Sequence, residues 1–231
     1  MCDEPVDLTF LTAVAFETAL ARTLGLRRIP GGVPSYRGRI GALSVACCRT
    51  GMRATRLREL EGSSLDTPRL GIVSLGLAGG LAPELRGGSV IVPAEVLAGG
   101  SRLACDASLR ETFVAAGGAR VPLLVACDHV VATVAAKGAL RAEAGADAVD
   151  MESGVIGAWA RARAVPFAVV RAISDPADAE LPCGIAPGVR LDLLRFLPRL
   201  VLLGVRARSA RRALARVVRA GCAALATLRP E

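Results

Sequence analysis

GIVSLGLAGGLAPELRGGSVIVPAEV, residues 71–96, decides the fold. Leu70–Leu75 is a short apolar run that predicts a buried strand, and it stops in a glycine-rich turn, Gly76–Gly80. Ser89–Val96 predicts the next strand, with Pro93 marking a bulge or a sheet edge. Further strands are predicted over Leu8–Ala15, Arg39–Arg49, Val121–Ala126, Ala146–Val149 and Pro166–Ile173. Between them, helical patterns cover Glu17–Leu24, Met52–Glu61, Asp106–Ala116 with Asp106 as cap, Ala135–Ala144 closed by Gly145, and Glu152–Ala162. Two helices, Leu191–Leu203 and Arg206–Leu228, end the pattern. Strands alternating with helices define an α/β fold with a largely parallel sheet covered on both faces.

The chain has 231 residues, 52% apolar and 22% charged, which suits one domain over residues 1–231 and excludes disordered and fibrous classes. No run of 18 apolar residues is present. The opening MCDEPVDLTF carries acids where an export signal carries basic residues, so a cytoplasmic protein is expected. The net charge of +8 suggests nucleic acid, but its distribution does not. Residues 1–184 hold 19 basic and 19 acidic side chains, whereas residues 185–231 hold 10 Arg and two acids. No aromatic platform accompanies the excess, so no nucleic-acid partner is expected. The seven cysteines form no C-x-x-C pair and sit mostly in apolar runs, as buried thiols do. His129 is the single histidine, and no G-x-S-x-G elbow accompanies it. That argues against a zinc site and against a Ser-His-Asp hydrolase, and no metal or organic cofactor is expected.

In sheets of this kind ligands bind beyond the carboxyl ends of the strands. That rule selects Glu17, the turn from Gly76 to Gly80, the run Asp150–Met151–Glu152, and Ser174 with Asp175. The turn SLGLAGGL is neither G-x-G-x-x-G nor a P-loop, but its glycines let backbone approach a ligand closely. Glu152 at a helix start either complements the helix dipole or accepts hydrogen bonds from the vicinal hydroxyls of a sugar. Asp175 before Pro176 is either a turn residue or, walled by Ile173 and Pro176, a general acid with a raised pKa.

Together these segments resemble the nucleoside phosphorylase/nucleosidase superfamily over about residues 8–185. The resemblance rests on GIVSLGLAGGLAPELRGGSVIVPAEV, on AVDMES (148–153) and on VPFAVVRAISDPAD (165–178). Within it, SLGLAGGL, Lys137 before GADAVDMES, and the Arg/Ala-rich end are most similar to the hopanoid-associated phosphorylase group. The resemblance implies a three-layer sandwich with a mostly parallel, partly mixed sheet. It implies cleavage of a purine N-glycosidic bond, releasing adenine from a 5′-modified adenosine such as adenosylhopane. Asp175 matches the acid at purine N7, and Met151 with Glu152 matches the ribose-binding pair. Gly76, Leu77, Ala78, Gly79 and Ser174 match the substrate-binding segments. Family members form dimers or hexamers, so a homo-oligomer is implied. A methylthioadenosine/adenosylhomocysteine-type nucleosidase and a non-catalytic nucleoside-binding protein are the competing expectations.

The nucleophile stays open. Phosphorylases of the superfamily carry a Gly-Asp-Pro loop after the first strand and an Arg just before the glycine-rich turn. Here Ala15, Phe16 and Glu17 follow the strand, and Ser74 occupies the Arg position. Both departures resemble the nucleosidase branch, where Glu at the position of Glu17 activates water. The serine that nucleosidases place in the turn is Leu77 here. The family's G-x-G loop reads Gly51, Met52 and Arg53, and Arg53 is either a phosphate-binding cation or a solvated residue. The subgroup suggests phosphate as co-substrate, and the local motifs suggest water.

The last helix is amphipathic. Leu214, Val217, Val218, Leu225 and Leu228 share one side, and Arg208, Arg212, Arg216 and Arg219 the other. It either docks on the sheet with its Arg face in water, or meets an anionic membrane at the inner face, in keeping with a lipid-linked substrate.

Overall fold

The computed structural model describes residues 5–181 and 193–227; the side chains of residues 15–18 and 193–208 lie outside that description. Ten strands form one mixed sheet: β1 (Leu8–Thr12), β2 (Arg27–Ile29), β3 (Ser35–Ile40), β4 (Leu43–Arg49), β5 (Gly71–Gly80), β6 (Val90–Ala98), β7 (Ser101–Ala104), β8 (Ala119–Ala126), β9 (Ala148–Asp150) and β10 (Phe167–Asp175). Among the described residues five helices cover it: α1 (Ala15–Thr23), α2 (Ala107–Ala115), α3 (Val134–Ala144), α4 (Ser153–Ala162) and α5 (Leu193–Thr227).

The period-two alternation of the strands sorts their side chains onto the two sheet faces. Leu8, Phe10, Val73, Leu75 and Val170 point into one core, with residues of α1, α2 and α5. Leu11, Ile72, Val169 and Ile173 point into the other, beneath Ile156 and Trp159 of α4. This is the three-layer α/β arrangement. Five strand pairings are parallel and five antiparallel, so the sheet is more mixed than expected.

Its topology shapes the site. β5 pairs with β10 along most of its length, and with β1 through Gly71–Ser74. Beyond β1, Gly79 and Gly80 pair with Val149 and Ala148 of β9. β9 then pairs with β8, β8 with β6, and β6 with β10. Strands β5, β10, β6, β8 and β9 therefore close into a ring, while β1, β4, β3 and β2 extend from it.

Several predicted elements are corrected. Gly76–Gly80 is strand, not turn, because Gly76–Gly79 pair with β10 and Gly79 and Gly80 pair with β9, which outweighs the low strand propensity of glycine. The first strand ends at Thr12, and α1 begins at Ala15. Arg39–Arg49 is not one strand, since Gly41 at φ 60 turns the chain between β3 and β4. Met52–Glu61 forms two short 3-10 turns, Met52–Ala54 and Leu57–Leu60, in place of a helix. The two predicted C-terminal helices are one helix, α5, and Leu191 and Leu228 lie outside the described residues. The short strands β2 and β7 have no counterpart in the prediction.

Other signals hold. The Asp106 carboxylate caps α2 by accepting from Leu109 N–H, and Gly145 at φ 64 ends α3 in the left-handed region that glycine tolerates. Pro93, which has no N–H, lies just past the β10 pairing at Val90–Ile91, before β7 pairs at Glu95–Ala98. On α5, Leu214, Val217, Val218 and Leu225 are buried while Arg212, Arg216 and Arg219 are exposed, as the amphipathic pattern requires. Arg219 also donates to the carbonyl of Thr23, the last residue of α1. Among the described cysteines, Cys47, Cys48, Cys105 and Cys222 are buried free thiols; Cys2 and Cys183 lie outside the described residues. No described helix is long and apolar enough to cross a membrane.

Candidate active site

The ring of strands gathers the predicted residues around a cleft of about 170 Å³. Leu77, Ala78 and Gly79 from the late part of β5 line it, as do Val149 and Asp150 from β9. Met151 and Glu152 follow at the entry to α4, and Ser174 and Asp175 end β10. His129, Val130, Val131 and Leu181 complete the wall. Of the predicted glycine-rich residues, Gly76 and Gly80 stand apart: neither lines the cleft, and Gly76 lies deeper in β5, in register with Arg171.

Asp175 is buried at 4% exposure. Its Oδ2 accepts from Lys137 Nζ at 2.6 Å, and its Oδ1 from the Ser174 hydroxyl. The carboxyl is thus held by a cation and a hydroxyl rather than only walled by apolar groups, as the sequence suggested. Gly79 explains how the group fits. A Cβ on Gly79 would stand 3.2 Å from Asp175 Oδ2 and 3.2 Å from Val149 Cγ1. The bare Cα keeps the carboxyl accessible from the cleft.

Glu152 precedes α4, yet its side chain makes no capping bond. Asp150 caps instead, accepting from Ser153 N–H at 3.2 Å. The Glu152 carboxylate turns aside, and its Oε1 accepts from Arg53 N–H at 3.0 Å. Arg53 sits at φ 56, in the left-handed region, inside the first 3-10 turn. It therefore reaches the site through its backbone, while its guanidinium is exposed. Near the mouth, the His129 ring beside Asp128 holds that carboxyl below its ordinary range, with a smaller contribution from Arg53.

Beneath the cleft lies a network that sequence reasoning missed. Arg171 of β10, 1% exposed, places Nη2 2.7 Å from Asp150 Oδ2 and 3.8 Å from Glu152 Oε2. The same nitrogen donates to Ser74 Oγ at 2.8 Å and to Ser153 Oγ at 3.3 Å. Ser74 carries no charge, but the next strand brings a guanidinium to its hydroxyl. The signal was an arginine inside the apolar run PFAVVRAI, since a buried arginine must be paired. Lys137, noted only for its place in the sequence, is a second such residue. Glu17 lies in the first turn of α1, and its side chain is outside the described residues. No cluster of His, Cys, Asp or Glu suited to a metal occurs among the described residues.

The family model of the phosphorylase superfamily matches residues 11–184. The chain belongs to that superfamily of nucleoside phosphorylases and nucleosidases. A search of curated proteins found no match. Among solved structures, the chain is similar to the 5′-methylthioadenosine/S-adenosylhomocysteine nucleosidase of Neisseria meningitidis bound to methylthio-immucillin-A. The TM-score is 0.71 at 20% identity, over 93% of this chain and 97% of that one. The adenine complex of the corresponding nucleosidase from Colwellia psychrerythraea aligns with a TM-score of 0.75 at 16% identity, over 96% and 97% of the two chains. Futalosine hydrolase of Helicobacter pylori aligns at 0.68 and 18%, over 91% and 96%. At these identities the likeness establishes the fold.

Proposed function

We propose that this protein cleaves the N-glycosidic bond of a purine nucleoside and releases the base. The observation that carries the reading is two carboxyl groups in one cleft, Asp175 and Glu152, each fixed by different partners. Breaking the bond leaves positive charge on the ribose and negative charge on the base. Asp175 serves as the acid toward N7 of the leaving purine. Glu152 accepts hydrogen bonds from the 2′ and 3′ hydroxyls, and Arg171 behind it holds the carboxylate in place. Leu77, Ala78 and Gly79 form the wall beside the substrate, with Met151 next to the sugar and Ser174 fixing the acid. Glu17 activates water where hydrolysis operates, and Arg53 supplies a cation where phosphate is the co-substrate. The uncharged Ser74 favours water.

The substrate we infer is an adenosine with an apolar 5′ substituent, of which adenosylhopane is the case the subgroup resemblance suggests. Support comes from exposed apolar side chains. Among the described residues the large apolar side chains found exposed are Val14, Met52, Val130, Val134 and Val155, and Val130 lines the cleft. Val14 follows β1, Met52 follows β4, Val130 and Val134 follow β8, and Val155 lies just past Glu152. All therefore belong to segments that leave carboxyl ends of strands. A lipid-linked nucleoside would meet Val130 at the cleft, and the arginines of α5 would hold the protein to an anionic leaflet, with about 1 kcal/mol from each near the surface. Self-association belongs to the same proposal.

The test is product analysis with adenosine and 5′-alkylated adenosines, with and without phosphate. Free base together with ribose identifies hydrolysis, and ribose 1-phosphate identifies phosphorolysis. A higher kcat/KM for the 5′-apolar substrates, with salt-sensitive flotation on anionic vesicles, is the expected pattern. Preference for free adenosine with no vesicle binding at low salt would remove the lipid half of the proposal.

A further inference from the structure

Helix α3 inverts the usual burial pattern. Of its eleven residues, Lys137 is the buried one, at 1% exposure. Lysine is rarely buried so fully, because desolvating an ammonium is costly unless it is paired. Here the pairing is complete. Lys137 Nζ lies 2.6 Å from Asp175 Oδ2, 2.9 Å from the Pro176 carbonyl and 2.8 Å from the Ala179 carbonyl. Those contacts use the three donors of an ammonium. The Asp175 carbonyl stands further off, at 3.3 Å.

One side chain therefore ties α3 to the segment that leaves β10 and to the carboxyl beside the cleft. The oxygen it grips matters. Oδ1 of Asp175 accepts from Ser174, whereas Oδ2, held by Lys137, is the oxygen over which Gly79 leaves its Cα bare. A carboxylate has no proton to give to a leaving base. The ammonium against Oδ2 has one.

We propose that Lys137 is the positioning residue and proton source of Asp175, so that the acid is the pair and not the carboxyl alone; this rests on the reading of Asp175 as the acid toward the purine. As the bond from the ribose to N9 breaks, its electron pair goes to the base. A proton passes from Lys137 Nζ to Asp175 Oδ2 and from Oδ2 to N7, forming the N7–H bond. The neutral amine takes a proton back from water once the base has left.

The experiment measures kcat and KM on adenosine and on 2-fluoro- and 2-chloroadenosine, whose bases leave more easily, for the wild type, Lys137→Met, Asp175→Asn and the double variant. General acids contribute about 10²–10⁴-fold. Lys137→Met should therefore lose about 100-fold or more in kcat on adenosine with KM little changed, and lose less as the leaving group improves. The double variant should be no slower than Asp175→Asn, since Lys137 acts through that residue. A loss of the same size on all three substrates is what a purely structural staple gives, and it overturns the proposal. So does an unimpaired Lys137→Met. Should circular dichroism show Lys137→Met unfolded, the double variant decides, because it removes both members of the buried pair. Activity equal to that of Asp175→Asn supports the proposal, and a further drop overturns it. A wild-type protein that releases no base from any of the three nucleosides refutes the proposed function itself, which is a different result from any of these.

Discussion

Replacing Arg171 by Met removes a buried cation while keeping an unbranched apolar stem. Asp150 then stays behind with its side chain 1% exposed and its partner at 2.7 Å gone. The Ser153 hydroxyl and N–H still reach it, but no positive charge does so among the bonds described above. Leaving one member of a buried pair uncompensated costs about 3–5 kcal/mol. In a domain of this size each kcal/mol moves the melting temperature by about 2–4 °C, so the midpoint should fall by about 6–20 °C. Adding Asp150→Asn removes the stranded charge while keeping an oxygen for Ser153, and should restore about 2 kcal/mol of the loss. The assay is urea and thermal denaturation of the wild type, both single variants and the double variant. A cost below about 1 kcal/mol for Arg171→Met would refute the reasoning, since surface pairs are worth that little. Losses that simply add in the double variant would refute it as well.

Three further outcomes follow from the same geometry. Gly79→Ala places a methyl 3.2 Å from Asp175 Oδ2 and should reduce turnover about tenfold or more while shifting the melting temperature little; unaltered turnover would show that this close approach is not used. Glu152→Gln should slow cleavage of ribosides and hardly affect a 2′,3′-dideoxy analogue, and equal losses on both would argue against a contact to the hydroxyls. Burial pushes the thiols of Cys48 up to about 11 and of Cys105 and Cys222 up to about 12, so at pH 8 they hold almost no thiolate. Mass mapping after brief alkylation should find Cys127, the half-buried one, modified ahead of these three in the native protein, and early labelling of Cys222 would contradict its burial on the inner side of α5.

Much of the site was legible because strand ends in an α/β sheet announce themselves. AVDMES and RAISDPAD each place carboxylates where an apolar run stops, and the structure brings both to one cleft with Leu77, Ala78 and Gly79. The glycine-rich segment reads as a turn in the sequence because local propensity carries no information about the β10 and β9 residues that pair with it. The hairpin at Gly41 and the 3-10 turns after Gly51 were lost for a related reason, since apolar periodicity does not register a single residue at positive φ. Arg171 and Lys137 carry no assigned chemistry in the sequence reading because neither partner is named there: an arginine inside an apolar run signals a buried pair without saying which residue completes it, and a lysine on a helix looks the same whether solvated or buried. Only the fold shows that the first meets Asp150 from β9 and the second meets Asp175 from β10. Arg53 reads as either a phosphate-binding cation or a solvated residue; in the structure its guanidinium is exposed, and its N–H, which no sequence pattern announces, reaches Glu152.

The most direct measurement follows the release of free base from adenosine by chromatography, comparing the wild type with Asp175→Asn under conditions where circular dichroism shows both folded. The wild type should release adenine steadily and the variant at a rate lower by about 10²–10⁴-fold, the range that a positioned general acid contributes. Near-normal release by folded Asp175→Asn would contradict the assignment of the acid, and no release by the wild type would contradict glycosidic cleavage as the function of this cleft.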